Sequence, residues 1–174
     1  FYIALRDAGA SQMYYAFFME YNERLRENED QRWVAGGDIY STIIEDEQAT
    51  RLDNYSNAIN NRQLDARSIS KDMRAWMGVP LIAGQTRLGV IAIGTTRADY
   101  TYSDEQLRIF NDLGALAATS LDKARLFEEA NVRARQLRAL NDIARQLQSE
   151  RKVERLIPLI TSSAVDILNA DRKS

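Results

Sequence analysis

Along Phe1–Arg6 the apolar positions alternate, with Phe1, Ile3 and Leu5 on one face and Tyr2, Ala4 and Arg6 on the other. A period of two predicts a half-buried β-strand. Asp7–Ser11 is turn material, and Met13–Tyr21, rich in Tyr and Phe, predicts a second strand. The two would form an antiparallel hairpin with a loop longer than the tightest two-residue type. Asn22–Arg32 is polar and charged and reads as a solvated loop or a fraying helix. Trp33 and Val34 restore apolar character before Gly36 and Gly37 break the chain. Asp38 is placed to cap a short helix through Ile39–Ile44, its carboxylate accepting a first-turn N–H. Glu45–Glu47 would end that helix, and Gln48–Leu52 can make a short strand. Asp53–Ser70 reads as a long polar connection with a helix near Ala58–Ala66. Connections of such length inside a compact domain are often functional.

The strongest β signal is the pair Met73–Ile82 and Arg87–Thr95, separated by the turn-sized break Ala83–Thr86. Pro80 has no N–H, so its position should lack a ladder partner on that side. Gly89 and Gly94 predict a bulge or the close approach of another element. After the loop Ala98–Tyr102, Ser103 and, three residues later, Gln106 form a capping box. A long helical pattern starts there, with Leu107, Phe110, Leu113 and Ala117 at three- and four-residue steps. It runs without proline to about Ser149, further than a domain of this size can bury. Its distal part, Leu126, Ala130, Arg133, Leu137, Leu140, Ala144 and Leu147, has coiled-coil spacing with Arg133 as an imperfection in the seam. Gln148–Lys152 reads as a polar break. Val153–Ala170 is amphipathic again, and Pro158 should start or kink that helix.

Composition narrows the chemistry. The 174 residues are 45% apolar, enough for a sizeable core, and the formal net charge of -2 gives no electrostatic case for nucleic acid or an anionic membrane as partner. With no cysteine and no histidine, disulfides, thiolate metal sites, thiol nucleophiles, the usual haem ligand and the commonest general base are all excluded. No apolar run approaches the roughly 20 residues of a membrane span, and no leader resembling a signal peptide is seen at Phe1. A cytoplasmic setting fits, in a parent protein whose anchor, if any, would lie elsewhere.

Gly84–Gly89 lacks the Gly-Lys-Ser/Thr ending of a phosphate-cradling loop. Gly36-Gly37-Asp38 has no acidic-aromatic continuation of the kind a nucleotide cyclase signature carries. The acidic clusters Glu27–Asp30 and Glu45–Glu47 read as solvated loops rather than metal or acid–base sites. No catalytic residue, metal or cofactor is assigned.

Trp76-Met-Gly-Val-Pro-Leu-Ile82, a turn, then Leu88-Gly-Val-Ile-Ala-Ile93 is similar to the late hairpin of GAF domains. Tyr102–Leu107 and the Ala-rich stretch Ala115–Leu126 resemble the family's segment C-terminal to that hairpin. The resemblance spans Phe1–Ala130 and is strongest over Trp76–Glu129. It implies an α+β fold: a central antiparallel sheet of five to six strands, flanking helices and a long C-terminal signalling helix. The implied organisation is a GAF domain over 1–128 lacking its opening helix, a coiled-coil-like linker helix over 129–151, and over 152–174 a helix resembling the start of a following GAF domain. That last helix could cover the face left by the missing opening helix, or extend as a rod pairing with its twin; both readings stand.

The resemblance also implies a role. GAF domains hold small ligands between the sheet and the helices and loops of the middle segment. Here that segment supplies Trp33, Tyr40, Asp53, Tyr55 and Arg67, with Trp76 on the adjoining strand. Core packing for the tryptophans, and a surface position or ion pair for Asp53 and Arg67, are the competing readings. The cyclic-nucleotide signature and the bilin cysteine of some members are absent. The expectation is a non-catalytic sensory module of a signal-transduction protein, such as a histidine kinase of a two-component system. It would bind a small molecule or partner and form a homodimer through its C-terminal helix. The rival is a structural dimerisation spacer with no ligand.

Overall fold

The computed structural model describes residues 1–7, 11–65 and 72–170. The chain divides into two compact units, Phe1–Ala124 and Arg125–Ser174.

The first unit is built on one antiparallel sheet. Its strands are β1 (Tyr2–Arg6), β2 (Gln12–Glu20), β3 (Glu23–Arg24), β4 (Arg32–Val34), β5 (Thr50–Leu52), β6 (Ala75–Ala83) and β7 (Thr86–Thr95). Their order is β3-β2-β1-β7-β6-β5, with β4 also pairing β2. The first strand therefore lies in the middle, held by β2 on one side and β7 on the other, with Ile3 opposite both Phe17 and Ile91. Two helices, α1 (Ile39–Asp46) and α2 (Tyr55–Arg62), belong to the segment between β4 and β6. A third, α3, runs from Asp104 to Ala170 and carries the chain into the second unit.

Side-chain alternation sorts the sheet into two cores. Tyr2, Ala4, Met13, Tyr15, Phe18, Trp76, Val90 and Ala92 pack with Ile39, Tyr40, Ile43 and Ile44 of α1 and Tyr55 and Ile59 of α2. On the other face, Ala75, Met77, Val79, Leu81 and Ile91 pack with Tyr102, Phe110 and Ala118. The predicted alternation of β1 is observed, and both of its faces contribute: Tyr2 and Ala4 are fully buried in the first core, while Ile3 and Leu5 lie partly buried against the second.

Local signals act as their chemistry requires. Asp38 Oδ1 accepts from Ser41 N at 2.9 Å, and Glu47 closes α1 in the left-handed region at φ 55°. The capping box of α3 is reciprocal: Gln106 N donates to Ser103 Oγ at 3.1 Å and Ser103 N donates to Gln106 Oε1 at 2.8 Å. Leu81 pairs with Gly89 but Ile82 pairs with Arg87, so Leu88 is the extra residue of a bulge. A Cβ at Gly89 would lie 2.1 Å from the Ala4 carbonyl oxygen, so β1 can approach only a glycine there. Pro80 lies beyond the last β5 pair, Thr50 with Gly78, where β6 has a strand neighbour on one side only.

Some expectations need correction. Asn22–Arg32 is more ordered than a loop or fraying helix, holding β3, a 3-10 turn over Arg26–Asn28 and the start of β4. Tyr21 and Asn22, at φ 48° and 66°, make the tight turn into β3, and Arg24 pairs with Glu29 at 2.8 Å. The helix expected near Ala58–Ala66 begins earlier, because Asn54 caps it by accepting from Asn57 N at 3.1 Å. The polar break at Gln148–Lys152 is not a break, since α3 is helical throughout. Gln, Glu, Arg and Lys are good helix formers, and polarity alone ends nothing. Pro158 sits inside this helix rather than starting a new one.

Candidate functional site

The first core is unusually aromatic. From β2, Tyr15 stands 4.8 Å from Trp33 of β4 and 5.8 Å from Tyr40 of α1, ring centre to ring centre. Tyr40 continues the chain to Trp76 at 6.1 Å, and Trp76 to Tyr55 of α2 at 5.9 Å. Four of the six residues expected to form a site, Trp33, Tyr40, Tyr55 and Trp76, are thus brought into one cluster. Tyr40 and Trp76 are fully buried, Tyr55 is nearly so, and Trp33 is half-buried. Their rings touch edge-to-face or tilted, the arrangements their quadrupoles favour.

Each ring is fixed by its backbone. Alternation on β6 turns Trp76 toward this face and Ala75 and Met77 away from it. The indole then lies across Gly78, where any Cβ would meet its outer edge at 2.3 Å. Tyr40 is in the first turn of α1, immediately after the Asp38 cap. Tyr55 opens α2, and its N–H donates to the Arg74 carbonyl at 2.7 Å, tying α2 to the base of β6.

The polar atoms inside the cluster are unevenly satisfied. Tyr15 and Tyr40 share a hydroxyl hydrogen bond at 3.4 Å. Asp38 is fully buried, and Ser41 donates to it twice, from N and from Oγ at 2.8 Å. Tyr55 Oη and Trp76 Nε1, by contrast, are buried without a hydrogen-bond partner among the described residues. Burial pushes the phenols of Tyr40 and Tyr55 above their ordinary range, as it does Tyr2, whose hydroxyl donates to Glu20 at 2.7 Å. These tyrosines are therefore neutral, with Tyr40 accepting from the Tyr15 hydroxyl and Tyr2 donating to Glu20. The rings of the cluster are in mutual contact, with ring centres 4.8 to 6.3 Å apart.

The two other expected residues fall elsewhere. Asp53 lies on the surface, 56% exposed, 3.4 Å from Arg51, which also binds Asp104 at 2.8 Å. It belongs to an ion-pair group linking the β5 end to the start of α3. Arg67 lies outside the described residues. Sequence reading passed over Tyr15, whose signal was its place in phase with Met13 along β2. It read Asp38 only as a cap, because nothing in the spacing announces that this carboxylate is buried.

Among the described residues no group of three acidic side chains is placed to hold a metal ion, and no helix is long and apolar enough to cross a membrane.

The architecture is shared with solved domains. The second GAF domain of DevS from Mycobacterium smegmatis matches with a TM-score of 0.58 at 17% identity, covering 74% of this chain and 83% of that one. The GAF domain/HD domain protein from Geobacter sulfurreducens matches with a TM-score of 0.58 at 15% identity, over 72% of this chain and 80% of that one. The GAF domain from a phosphoenolpyruvate-protein phosphotransferase of Coxiella burnetii gives 0.56 at 14% identity, over 74% of each chain. At these identities the likeness concerns the fold. The family model for the GAF domain matches residues 22–123, more than half of the chain, including α1, α2, the β6–β7 hairpin and the start of α3. GAF domains are generally non-catalytic sensory and regulatory modules of signalling proteins. With its antiparallel sheet, its two cores and its long final helix, this chain belongs to the GAF domain family.

Proposed function

We propose that this chain is the non-catalytic sensory unit of a cytoplasmic signal-transduction protein. It takes a small molecule or a partner's side chain into the aromatic cluster and passes the change to α3, which pairs with a second copy. A histidine kinase or cyclase output would lie in other domains of that protein. The observation that carries the reading is the pair of buried donors, Tyr55 Oη–H and Trp76 Nε1–H, without an acceptor among the described residues. Each such group costs about 1–3 kcal/mol while unpaired. A ligand acceptor reaching them removes that cost and so favours whichever arrangement of α1, α2 and β6 admits it. Occupancy can shift α3 only if the ligand binds two arrangements with different affinity. Because α1 and α3 pack on opposite faces of the same strand β6, displacement of Trp76 is felt through the sheet.

A second reading has support of its own. Ring centres 4.8 to 6.3 Å apart leave the aromatic side chains in mutual contact, as in an ordinary filled core, which favours a dimerising spacer without a ligand.

The protein's only two tryptophans, Trp33 and Trp76, both belong to the cluster, so emission reports on it directly. Native mass spectrometry of the purified chain, then fluorescence titration with a panel of uncharged and weakly charged aromatic metabolites, tests the choice. A retained adduct, or a saturable change in emission abolished by Trp76→Phe, is expected. A chain that carries nothing and whose emission responds to none of the panel gives the spacer reading its case.

A further inference from the structure

The short strand β5 lies between α1 and α2 and serves both faces of the sheet. Leu52 is buried in the aromatic core, whereas Ala49, just before the strand, packs against the other. Between them Arg51, paired with Met77 of β6, sends its side chain to the start of α3. Its guanidinium meets two carboxylates. Nε stands 3.4 Å from Asp53 Oδ1, and Nη1 donates to Asp104 Oδ1 at 2.8 Å. Asp53 immediately precedes Asn54, the cap of α2, and Asp104 is the first residue of α3. One side chain thus ties together the N-terminal ends of two helices that pack on opposite faces of the sheet.

The tie holds by direction rather than by burial. The Asp104 side chain is 95% exposed, while that of Arg51 is 27% exposed and rooted on a paired strand. A guanidinium presents its N–H groups in a rigid planar fork, so one acid cannot shift without turning the donor that faces the other. The rest of the α3 start is closed on itself. Ser103 and Gln106 cap it, and Gln106 Nε2 donates to Tyr100 Oη at 3.0 Å. At the other end of the tie, α2 opens with Tyr55, whose hydroxyl is one of the two buried donors without a partner among the described residues.

We propose that Arg51 is a positioning residue that couples the start of α2 to the start of α3. A change in how α2 sits on the aromatic core then reaches the long helix through Asp53, Arg51 and Asp104. This rests on the sensory reading above and deepens it by giving the signal a route. Such coupling is reciprocal: if loosening α2 loosens α3, loosening α3 must loosen α2 by the same factor. An ion pair with an exposed partner sustains a modest effect, about threefold in an equilibrium.

Each helix has an exposed cap that can be removed without touching a core. Asn54→Ala frays the start of α2 and Ser103→Ala the start of α3, since each deletes the acceptor of a first-turn N–H. Amide hydrogen exchange of the full chain, followed by NMR with Arg51 and with Arg51→Gln, reads the far helix, while amides of the central strand β1 report global unfolding. With Arg51 present, Asn54→Ala should speed exchange at residues 107–110 about threefold relative to β1, and Ser103→Ala should do the same at residues 58–60. Arg51→Gln should abolish both effects. A bridge that only adds stability would leave each cap's effect within its own helix, and that result overturns the coupling. Equal propagation with and without Arg51 overturns the route. Neither measurement uses a ligand, so a chain that binds nothing would still show the coupling, and failure here leaves the ligand titration undecided on its own terms.

Discussion

The two faces of the sheet are cores of different chemistry. The face under α1 and α2 is built from Tyr2, Tyr15, Phe18, Tyr40, Tyr55 and Trp76 and encloses Asp38 and Ser41. The face under α3 is built from Ala75, Met77, Val79, Leu81, Ile91 and Phe110, with Tyr102 at its edge. Aliphatic contacts are tolerant, because dispersion and burial are non-directional. Hydroxyls and indole N–H groups are directional and costly to leave unpaired. The aromatic face is therefore the more exacting of the two in how its groups must be paired. A single sheet separates the two chemistries because its side chains alternate.

The largest effect that would separate the faces is alkaline unfolding. The phenols of Tyr2, Tyr40 and Tyr55, all on the aromatic face, are raised by burial well above the ordinary value of 10.0, whereas Tyr102 on the other face reaches about 12. In the unfolded chain they ionise near 10 while the folded chain keeps them neutral. Their stabilising contribution is therefore whole below pH 10 and is lost as pH rises above it, at roughly 1.4 kcal/mol per pH unit for each such tyrosine. Urea midpoints should fall steeply above pH 10, with part of the tyrosinate absorbance appearing only as the fold is lost. Tyr102→Phe should remove one tyrosine's share of that slope between pH 10 and about 12 and leave the fall above it unchanged. A smooth titration of all eight tyrosines in the folded state would mean the aromatic face admits water and hydroxide freely.

Next comes Trp76→Ala. Removing a fully buried indole that contacts Tyr40 and Tyr55 should destabilise the chain by about 3–5 kcal/mol. Val79→Ala, on the neighbouring aliphatic face, should cost less, about 1–3 kcal/mol, since fewer buried atoms are lost. Denaturant melts followed by tryptophan emission and by circular dichroism check both. Equal costs would show that the two faces share one packing tolerance, and the distinction between them would fall.

Much of this division was open to reading from residue order. The β6–β7 hairpin, the Ser103 capping box and the Asp38 cap each depend on interactions within a few residues, and such signals survive without tertiary context. Four members of the aromatic cluster were legible because large aromatic residues in a segment between strands have few other places to go. Asp53 was not, because a carboxylate near a loop has the same appearance whether it lines an interior or pairs with Arg51 on the surface. The helical continuity across Gln148–Lys152 was hidden for a related reason: a run of polar residues looks the same in a linker and on a solvated helix. Which side of α3 faces the sheet was hidden too, because it is set by Gly114 meeting Val79, a residue far away in sequence.

The smallest effect is the most discriminating. Tyr55→Phe deletes one hydroxyl from the aromatic face and nothing else. If that hydroxyl is unpaired in the empty protein, its removal relieves a desolvation cost, and stability should stay level or rise by about 1 kcal/mol. In a packed core serving only as a spacer, that gain would be the whole consequence. In a sensor the same hydroxyl meets the ligand, so the stabilised variant should bind at least tenfold more weakly to any compound found by the fluorescence panel. Gain of stability with loss of affinity is the signature of a polar group kept for recognition. A loss of stability would show instead that Tyr55 Oη has a partner in the resting fold, such as a buried water, and the donor argument would then pass to Trp76 Nε1 alone.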